Sequence, residues 1–181
     1  IIVQKGKPYF ADYKGASPFL TKTGKIELYS EELALAGQDP IPVFTPTEEP
    51  PDGFFRLLYG RHPVHTFAKT QNTPLLHELY PENELWINAG IVAAQGMKDG
   101  DRVWLENQDG ARSGPIKLKA TQRIRPDAVF MAHGFGRNEP ALTLANGKGA
   151  NDAQLQTRYI LDPISGGAGM RVNFVRIVKE A

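Results

Sequence analysis

Apolar positions in this chain come in short bursts, and their spacing changes from one burst to the next. Phe54-Phe-Arg-Leu-Leu-Tyr59 is nearly unbroken, the length of a buried strand and too short for a buried helix. Leu85-Trp-Ile87 predicts a second short strand. Asp101–Asn107 alternates like a half-buried strand, Gln108-Asp-Gly110 supplies a hairpin turn, and Ile116–Thr121 alternates again as its partner. Ala128–Ala132 predicts another buried strand. Arg171–Val178 predicts the last, with Val172, Phe174, Arg176 and Val178 on one face and Val175 and Ile177 on the other. Lys25-Ile-Glu-Leu-Tyr29 also alternates as a short strand. Helical period is scarce and always capped. Ser30 precedes Glu31–Ala36 with Gly37 as its stop, Thr73 and Pro74 open a helix to Leu79, and Asn88 precedes Ala89–Gln95 with Gly96 beyond. About six short strands with brief helices predict a mainly β fold closed into a small barrel, because closure removes adhesive edges.

The bursts are unevenly distributed. Residues 1–25 carry aromatic anchors, Tyr9, Phe10, Tyr13 and Phe19, in a Gly/Pro-punctuated segment. Pro40, Pro42, Pro46, Pro50 and Pro51 then make residues 38–53 an extended linker, since proline fixes φ and lacks an amide donor. The expected division is an N-terminal extension and Pro-rich linker over 1–52 and a barrel domain over 53–181. The chain opens Ile1-Ile-Val3, without Met or a signal-peptide pattern, which predicts a piece of a longer polypeptide.

Composition narrows the chemistry. Of 181 residues, 41% are hydrophobic and 23% charged, ordinary for a globular protein. A net charge of +1 gives no global field for nucleic acid or an anionic membrane, so any anion site is built locally. The absence of cysteine removes disulfides, thiolate-held zinc, iron–sulfur ligation and cysteine nucleophiles from this chain. No apolar run approaches the roughly 18 residues of a membrane span, so direct membrane insertion is not expected.

The densest candidate chemistry follows the first barrel strand. After Gly60 come Arg61, His62, His65, Thr66, Lys69, Thr70, Gln71 and Asn72, with little apolar filler. A strand delivering such a loop to a sheet edge is the arrangement of a binding site. A second polar loop, His133-Gly-Phe-Gly-Arg137, follows Ala128–Ala132, and a third, Asn146-Gly-Lys-Gly-Ala-Asn-Asp152, is rich in asparagine and glycine. His62, before Pro63, and His77, on the short helix, read as structural. Asp99-Gly-Asp101 reads as a turn into a strand. There is no nucleophile elbow and no His/Asp/Glu cluster at ligand spacing, so neither a catalytic residue nor a metal ligand is expected from this chain.

The order of these pieces carries a resemblance. Leu58-Tyr-Gly-Arg-His-Pro-Val-His-Thr66, then Trp86–Trp104, then Asn151-Asp152 and Asp162-Pro-Ile-Ser-Gly-Gly167 before a closing basic-apolar strand, resemble the C-terminal dinucleotide-binding domain of the dimethyl sulfoxide reductase family of molybdenum and tungsten enzymes. Thr23–Ser30 resembles the segment leading into that domain, so the likeness covers about residues 21–181. Gly-Arg-His-Pro-Val-His is most similar to the catalytic subunits of polysulfide and thiosulfate reductases. The chain departs from many relatives after Asn151, where it reads Asp-Ala-Gln-Leu-Gln156 instead of an apolar residue and a threonine.

The resemblance implies a six-stranded double-psi β-barrel that closes over molybdopterin guanine dinucleotide carrying molybdenum or tungsten, shared with domains beyond this chain. It implies a cofactor-binding set of Gly60, Arg61, His65, Thr66, Asn72, His133, Gly134, Asn151 and Asp152, with Asp162 and Ser165 closing the same wall. It implies that the metal ligand and the iron–sulfur cysteines lie upstream in the parent chain. Expected partners are the remainder of the catalytic subunit, an iron–sulfur electron-transfer subunit and a membrane anchor, with the parent periplasmic or membrane-associated in a prokaryote. The parent would reduce polysulfide, thiosulfate or a related oxyanion. A competing expectation is a double-psi barrel serving as a protein-recognition module without cofactor. A self-sufficient hydrolase or decarboxylase on the same barrel ranks last, for want of a nucleophile.

Overall fold

The computed structural model describes residues 3–4, 7–8, 19, 21–41 and 43–179, and the chain divides into two units, Ile1–Pro46 and Thr47–Ala181. In the first unit, β1 (Val3–Gln4) pairs antiparallel with β2 (Lys7–Pro8). The expected aromatic anchors Tyr9, Phe10 and Tyr13 lie outside the described residues, and Phe19 is exposed. Helix α1 (Glu31–Leu35) forms where its cap predicts: Ser30 Oγ accepts from the Leu33 amide at 3.2 Å. The strand expected over Lys25–Tyr29 does not form. Thr21 Oγ1 donates to the Lys25 carbonyl at 2.7 Å and the Thr23 amide donates to Glu27 at 3.0 Å, which bends the chain, and Ile26 and Leu28 stay exposed. Alternation without a neighbouring strand to pair with cannot hold an extended ladder.

The second unit contains β3 (Phe55–Gly60), α2 (Pro74–Leu79), β4 (Glu84–Asn88), α3 (Ala89–Ala94), β5 (Arg102–Asn107), β6 (Arg112–Thr121), β7 (Ala128–Ala132), a 3-10 turn (Asp152–Leu155), β8 (Ile160–Leu161), β9 (Ala168–Gly169) and β10 (Phe174–Lys179). Six of its strands close a barrel in the order β10-β3-β7-β4-β6-β5, with β5 pairing back onto β10. Two parallel pairs, β3 with β7 and β4 with β6, sit among antiparallel neighbours. This is the mainly β, closed six-stranded architecture that the resemblance implies.

Burst pattern and burial agree in detail. Leu57, Leu85, Ile87, Leu105, Ile116, Leu118, Val129 and Met131 fill the barrel, each contributing about 1.5–3 kcal/mol of burial free energy. Strand β6 starts at Arg112, earlier than its alternation suggests, and Gly114 within it lies close against Trp104, where a Cβ would stand 3.1 Å from the Trp104 Cα. Helix α2 keeps Pro74 in its first turn, but Thr73 makes no side-chain capping bond. Strand β10 starts at Phe174, later than expected. Phe174 and Val175 are both buried although they point to opposite faces, Val175 into the core and Phe174 under Arg56, which lies over its ring at 5.2 Å.

Strand directions place the functional loops. β3 and β7 run parallel, β4 runs against β7, β6 runs with β4, and β5 and β10 alternate from there. The C-terminal ends of β3, β5 and β7 and the N-terminal ends of β4, β6 and β10 therefore share one end of the barrel. The polar loops predicted after β3 and β7 leave from that rim. The far end is plugged by apolar side chains, Val92 of α3 and Met97 just beyond it.

Candidate functional site

Three loops meet on the rim: 61–72 after β3, 133–137 after β7, and 145–152 leading to the 3-10 turn. Asn72 joins the first to the third, its Oδ1 accepting from the Leu144 and Ala145 amides at 2.8 and 3.1 Å. Arg137 joins the second to the first, donating from Nη2 to the Ala68 carbonyl at 2.8 Å. Two glycines let the loops touch. Gly134 has φ +95°, and a Cβ there would stand 2.8 Å from the Ala68 nitrogen; Gly136 has φ +69°, and its Cβ would land on the Asn151 amide. Only glycine accepts such φ values at such close approach. The turn after Tyr59 and the turn around Asn151 thus share one rim.

The buried polar residues of the described chain lie at this end: His65, Gln71, Asn83, Asn107, Ser113, Asp152 and Asn173. None of them has a buried side-chain atom left without a partner, because an unpaired buried polar group costs about 1–3 kcal/mol. Asn83 donates from Nδ2 to the Ala132 and Ala150 carbonyls at 2.8 and 2.9 Å and accepts from the Ala150 amide at 2.9 Å. Ser113 Oγ accepts from the Asn151 amide at 2.8 Å. Asn107 and Asn173 clamp residues 155–158 in the same way. A network with every member satisfied rigidifies the loops that it joins.

The predicted residues separate into an inner and an outer set. His65 turns inward, 6% exposed. Its Nε2 donates to the Tyr80 carbonyl at 2.7 Å and its Nδ1 accepts from the Thr70 hydroxyl at 3.2 Å, while Thr70 Oγ1 accepts from the Thr66 amide at 2.9 Å. A carbonyl can only accept, so His65 carries its proton on Nε2. With both ring nitrogens engaged, His65 holds the loop instead of facing a ligand. Asp152 is 0% exposed and accepts from His133 Nδ1 at 2.7 Å, the Gly134 amide at 3.2 Å and Gln156 Nε2 at 2.7 Å. Its carboxylate and the Gly134 amide, both expected to face the ligand, are spent on each other. Gly60 packs against Phe130, whose ring a Cβ would meet at 3.2 Å.

The outer set is Arg61, Thr66, His133 and Asn151. Thr66 is exposed, and Arg61 lies over the Phe67 ring at 4.3 Å and makes no ion pair among the described residues. Phe67 meets His133 edge-on at 5.5 Å. With Nδ1 fixed by Asp152, His133 keeps Nε2 as its open atom. Tyr59 stands 6.3 Å from His133; burial pushes its phenol above the usual 10, opposed by the charge of Arg171 and reinforced by Asp152. Asn151 caps the 3-10 turn, its Oδ1 accepting from the Ala153 amide at 3.0 Å. His62 stacks on Tyr80 at 3.7 Å, and burial, then the neighbouring His65, holds it below its usual 6.5. His77 bonds to the Gln71 carbonyl at 3.2 Å. Asp162 and Ser165 bond to each other in a turn beyond the 3-10 turn.

Beside Asn151 lies a cleft of about 240 Å³, lined by Trp104, Arg112, Ser113, Asn138, Gln154 and several glycines. Its walls are an indole, carboxamides and bare backbone, the donor set that suits a flat, polar-edged ring. Arg137 Nε, buried without a partner, is a further unspent donor on this rim. The glycine-lined cradle and the orphaned guanidinium nitrogen fit a pterin or guanine nucleotide. A larger concavity of about 780 Å³ in the first unit is formed by the single bent segment 21–32; it is a crook in one exposed strand of chain, with no convergence of separate elements. Among the described residues no group of three His, Asp or Glu comes together to hold a metal, and no helix is long and apolar enough to cross a membrane.

Sequence patterns missed Asn83, Asn107, Ser113, Asn138, Gln154 and Asn173, and carried Arg137 only as the end of the second polar loop. Asn83 immediately precedes a strand, where asparagine reads as ordinary turn chemistry, and Asn107 and Asn173 fall inside the strands expected over 101–107 and 171–178.

A closed mixed barrel with one polar, glycine-jointed rim presents a single ligand-binding face. The chain belongs to the molydopterin dinucleotide binding domain family, whose model matches residues 55–174. That membership favours cofactor binding over the protein-recognition alternative. The chain is similar to the thiosulfate reductase molybdopterin-containing subunit PhsA of Salmonella typhimurium, with 36% identity over 151 residues, 82% of this chain and 19% of that protein. It is also similar to the dimethyl sulfoxide reductase DmsA of Escherichia coli, with 27% identity over 94% of this chain and 22% of that protein. Acetylene hydratase from Pelobacter acetylenicus shares the fold, with a TM-score of 0.63 and 20% identity over 88% of this chain and 24% of that one. The chain spans about a fifth of the length of these relatives.

Proposed function

We propose that the rim holds one end of a molybdopterin guanine dinucleotide carrying molybdenum or tungsten, and that the chain is one domain of a longer oxidoreductase acting on thiosulfate, polysulfide or a related oxyanion. The observation that carries the reading is the meeting of three loops on one rim, tied by buried polar side chains, with a cleft of carboxamides and glycines beside Asn151 lined from the second and third loops and from β5 and β6. Asn151, Gln154 and Asn138 offer paired donors and acceptors to a ring edge beside Trp104. Arg61 and the spare Arg137 nitrogen supply positive charge for phosphate. His133 presents Nε2 to the pterin, with Asp152 behind it fixing the tautomer. When bound, the cofactor supplies two-electron redox chemistry; the chain supplies binding, orientation and electrostatics. Electrons would arrive through an iron–sulfur cluster elsewhere in the parent polypeptide and an iron–sulfur partner subunit, with a membrane anchor and a periplasmic or membrane-associated location in a prokaryote. The substrate class is supported by the similarity to the thiosulfate reductase of Salmonella typhimurium.

The domain reading is tested by titrating GMP into the 181-residue chain and following backbone amide shifts. The expected perturbations cluster at Asn138, Gly147 and 151–154, and Asn151→Ala weakens binding by about tenfold, roughly 1.4 kcal/mol. Shifts confined to the far end of the barrel, or an Asn151→Ala chain that binds like the parent, would remove this assignment.

A further inference from the structure

The segment between Thr157 and Arg171 is the part of the second unit that barrel closure does not require. It is a two-stranded ribbon in which Ile160 pairs with Gly169 and Leu161 with Ala168. Its tip is fixed: Asp162 Oδ1 accepts from the Ile164 amide at 3.1 Å and the Ser165 amide at 2.7 Å, and the Asp162 amide donates to the Gly167 carbonyl at 2.8 Å. Its base is fixed too. Asn173, fully buried, donates to the Arg158 and Met170 carbonyls at 2.9 and 2.7 Å and accepts from the Thr157 and Arg158 amides. Arg158 is paired with Asp109.

The ribbon is pinned at both ends, yet Tyr159, Ile160, Leu161 and Ile164 are each more than half exposed. Successive strand residues point to opposite faces, so Tyr159 and Leu161 make one face apolar and Ile160 the other. A hairpin meant for water keeps one polar face and guards its edges with charge. Here the tip carboxylate is spent on its own turn, and the base arginine on its own aspartate.

We propose that this ribbon is a docking arm that inserts into an apolar cleft in the remainder of its own polypeptide. The inference rests on the reading that the chain is one domain of a longer enzyme. The occupant follows from three observations. The thiosulfate reductase relative is matched over only 19% of its length, so most of such a polypeptide lies outside this chain. Both faces of the ribbon need covering, whereas a symmetric second copy would bury one face and leave the other open. The arm also grows out of the ligand rim, because the 3-10 turn that carries Asn151 runs into Thr157, whose hydroxyl accepts from Asn107 at 2.7 Å. Docking the arm therefore steadies the wall that faces the cleft.

Hydrogen exchange at the amides of residues 159–170, measured in the 181-residue chain and in the complete polypeptide, tests the arm. Exchange at least about tenfold slower in the complete polypeptide is expected. Ile160→Asp with Leu161→Asp should leave the melting temperature of the 181-residue chain unchanged and open the arm to protease in the complete polypeptide. Equal exchange in both settings overturns the proposal, even if the double variant of the complete polypeptide fails to fold. Protection in the 181-residue chain that grows with concentration and vanishes in the double variant also overturns it, and assigns the arm to self-association. GMP binding on the same samples reports on the rim separately, so failure of the arm and failure of the cofactor reading have different signatures.

Discussion

The two ends of the barrel solve the same closure problem with opposite materials. At the far end Val92 of α3 and Met97 beyond it cap the barrel, and the turns are tied by exposed side chains: Asp99 accepts from the Ala120 amide at 2.7 Å and Asp101 from the Lys98 amide at 2.8 Å. At the rim, loops are tied by side chains that are themselves buried, with asparagine dominating. Burying carboxamides is worthwhile only when every bond is made, and hydrophobic plugging was available, as the far end demonstrates. The difference teaches that the rim is built for fixed loop geometry, which is what a binding site needs, and the far end for closure alone.

The sharpest way to break this comparison is Asn83→Ala. It leaves two buried carbonyls and one amide without partners, and a loss of about 3 kcal/mol in folding stability is expected. The measurement is the urea midpoint at constant slope, and a loss below about 1 kcal/mol would mean that the network does not organise the rim. Next comes the stacked pair at the base of the first loop. Burial pushes Tyr80 up to about 12 from its usual 10, opposed by a hydrogen bond with the Glu84 backbone, and it pushes His62 below 6.5. A raised tyrosine gives stability that is complete below 10 and is lost as pH climbs toward 12. A lowered histidine gives stability that is present above 6.5 and is lost as pH falls through its folded value. Stability contributed by the pair should therefore be greatest between those limits. Tyr80→Phe should flatten the alkaline limb of a stability-versus-pH curve and His62→Phe the acid limb; unchanged limbs would show that the stack does not govern them. The smallest effect belongs to the far end. Asp99→Ala should shift stability by no more than about 0.5–1 kcal/mol and leave GMP binding unaltered, and a larger loss there would erase the contrast between the ends.

Much of the barrel was legible because burial imposes a period. The run 54–59, the alternation of 101–107 and the run 128–132 correspond to β3, β5 and β7 within a residue or so. Lys25–Tyr29 had the same kind of alternation and formed no strand, since a ladder depends on a partner that local pattern does not reveal. The site was legible as loops and not as roles. His65 and Asp152 have the residue types of ligand contacts, and the fold turns both inward to hold Thr70, Tyr80, His133 and Gln156. Asn83 carried no signal of its own and Asn173 lay inside the strand expected over 171–178, and the two proved to be the fasteners of the rim and of the arm.

By itself the amino-acid order determined which buried runs become barrel strands, where glycine and proline interrupt them, and that no thiolate chemistry belongs to this chain, because propensity, period and side-chain chemistry are properties of neighbours along the backbone. Only the tertiary structure decided which polar side chains face a ligand and which face each other. Hydrogen-bond partners here come from residues as far apart as Asn72 and Ala145 or Asn83 and Ala150, and that pairing exists only after the barrel has closed.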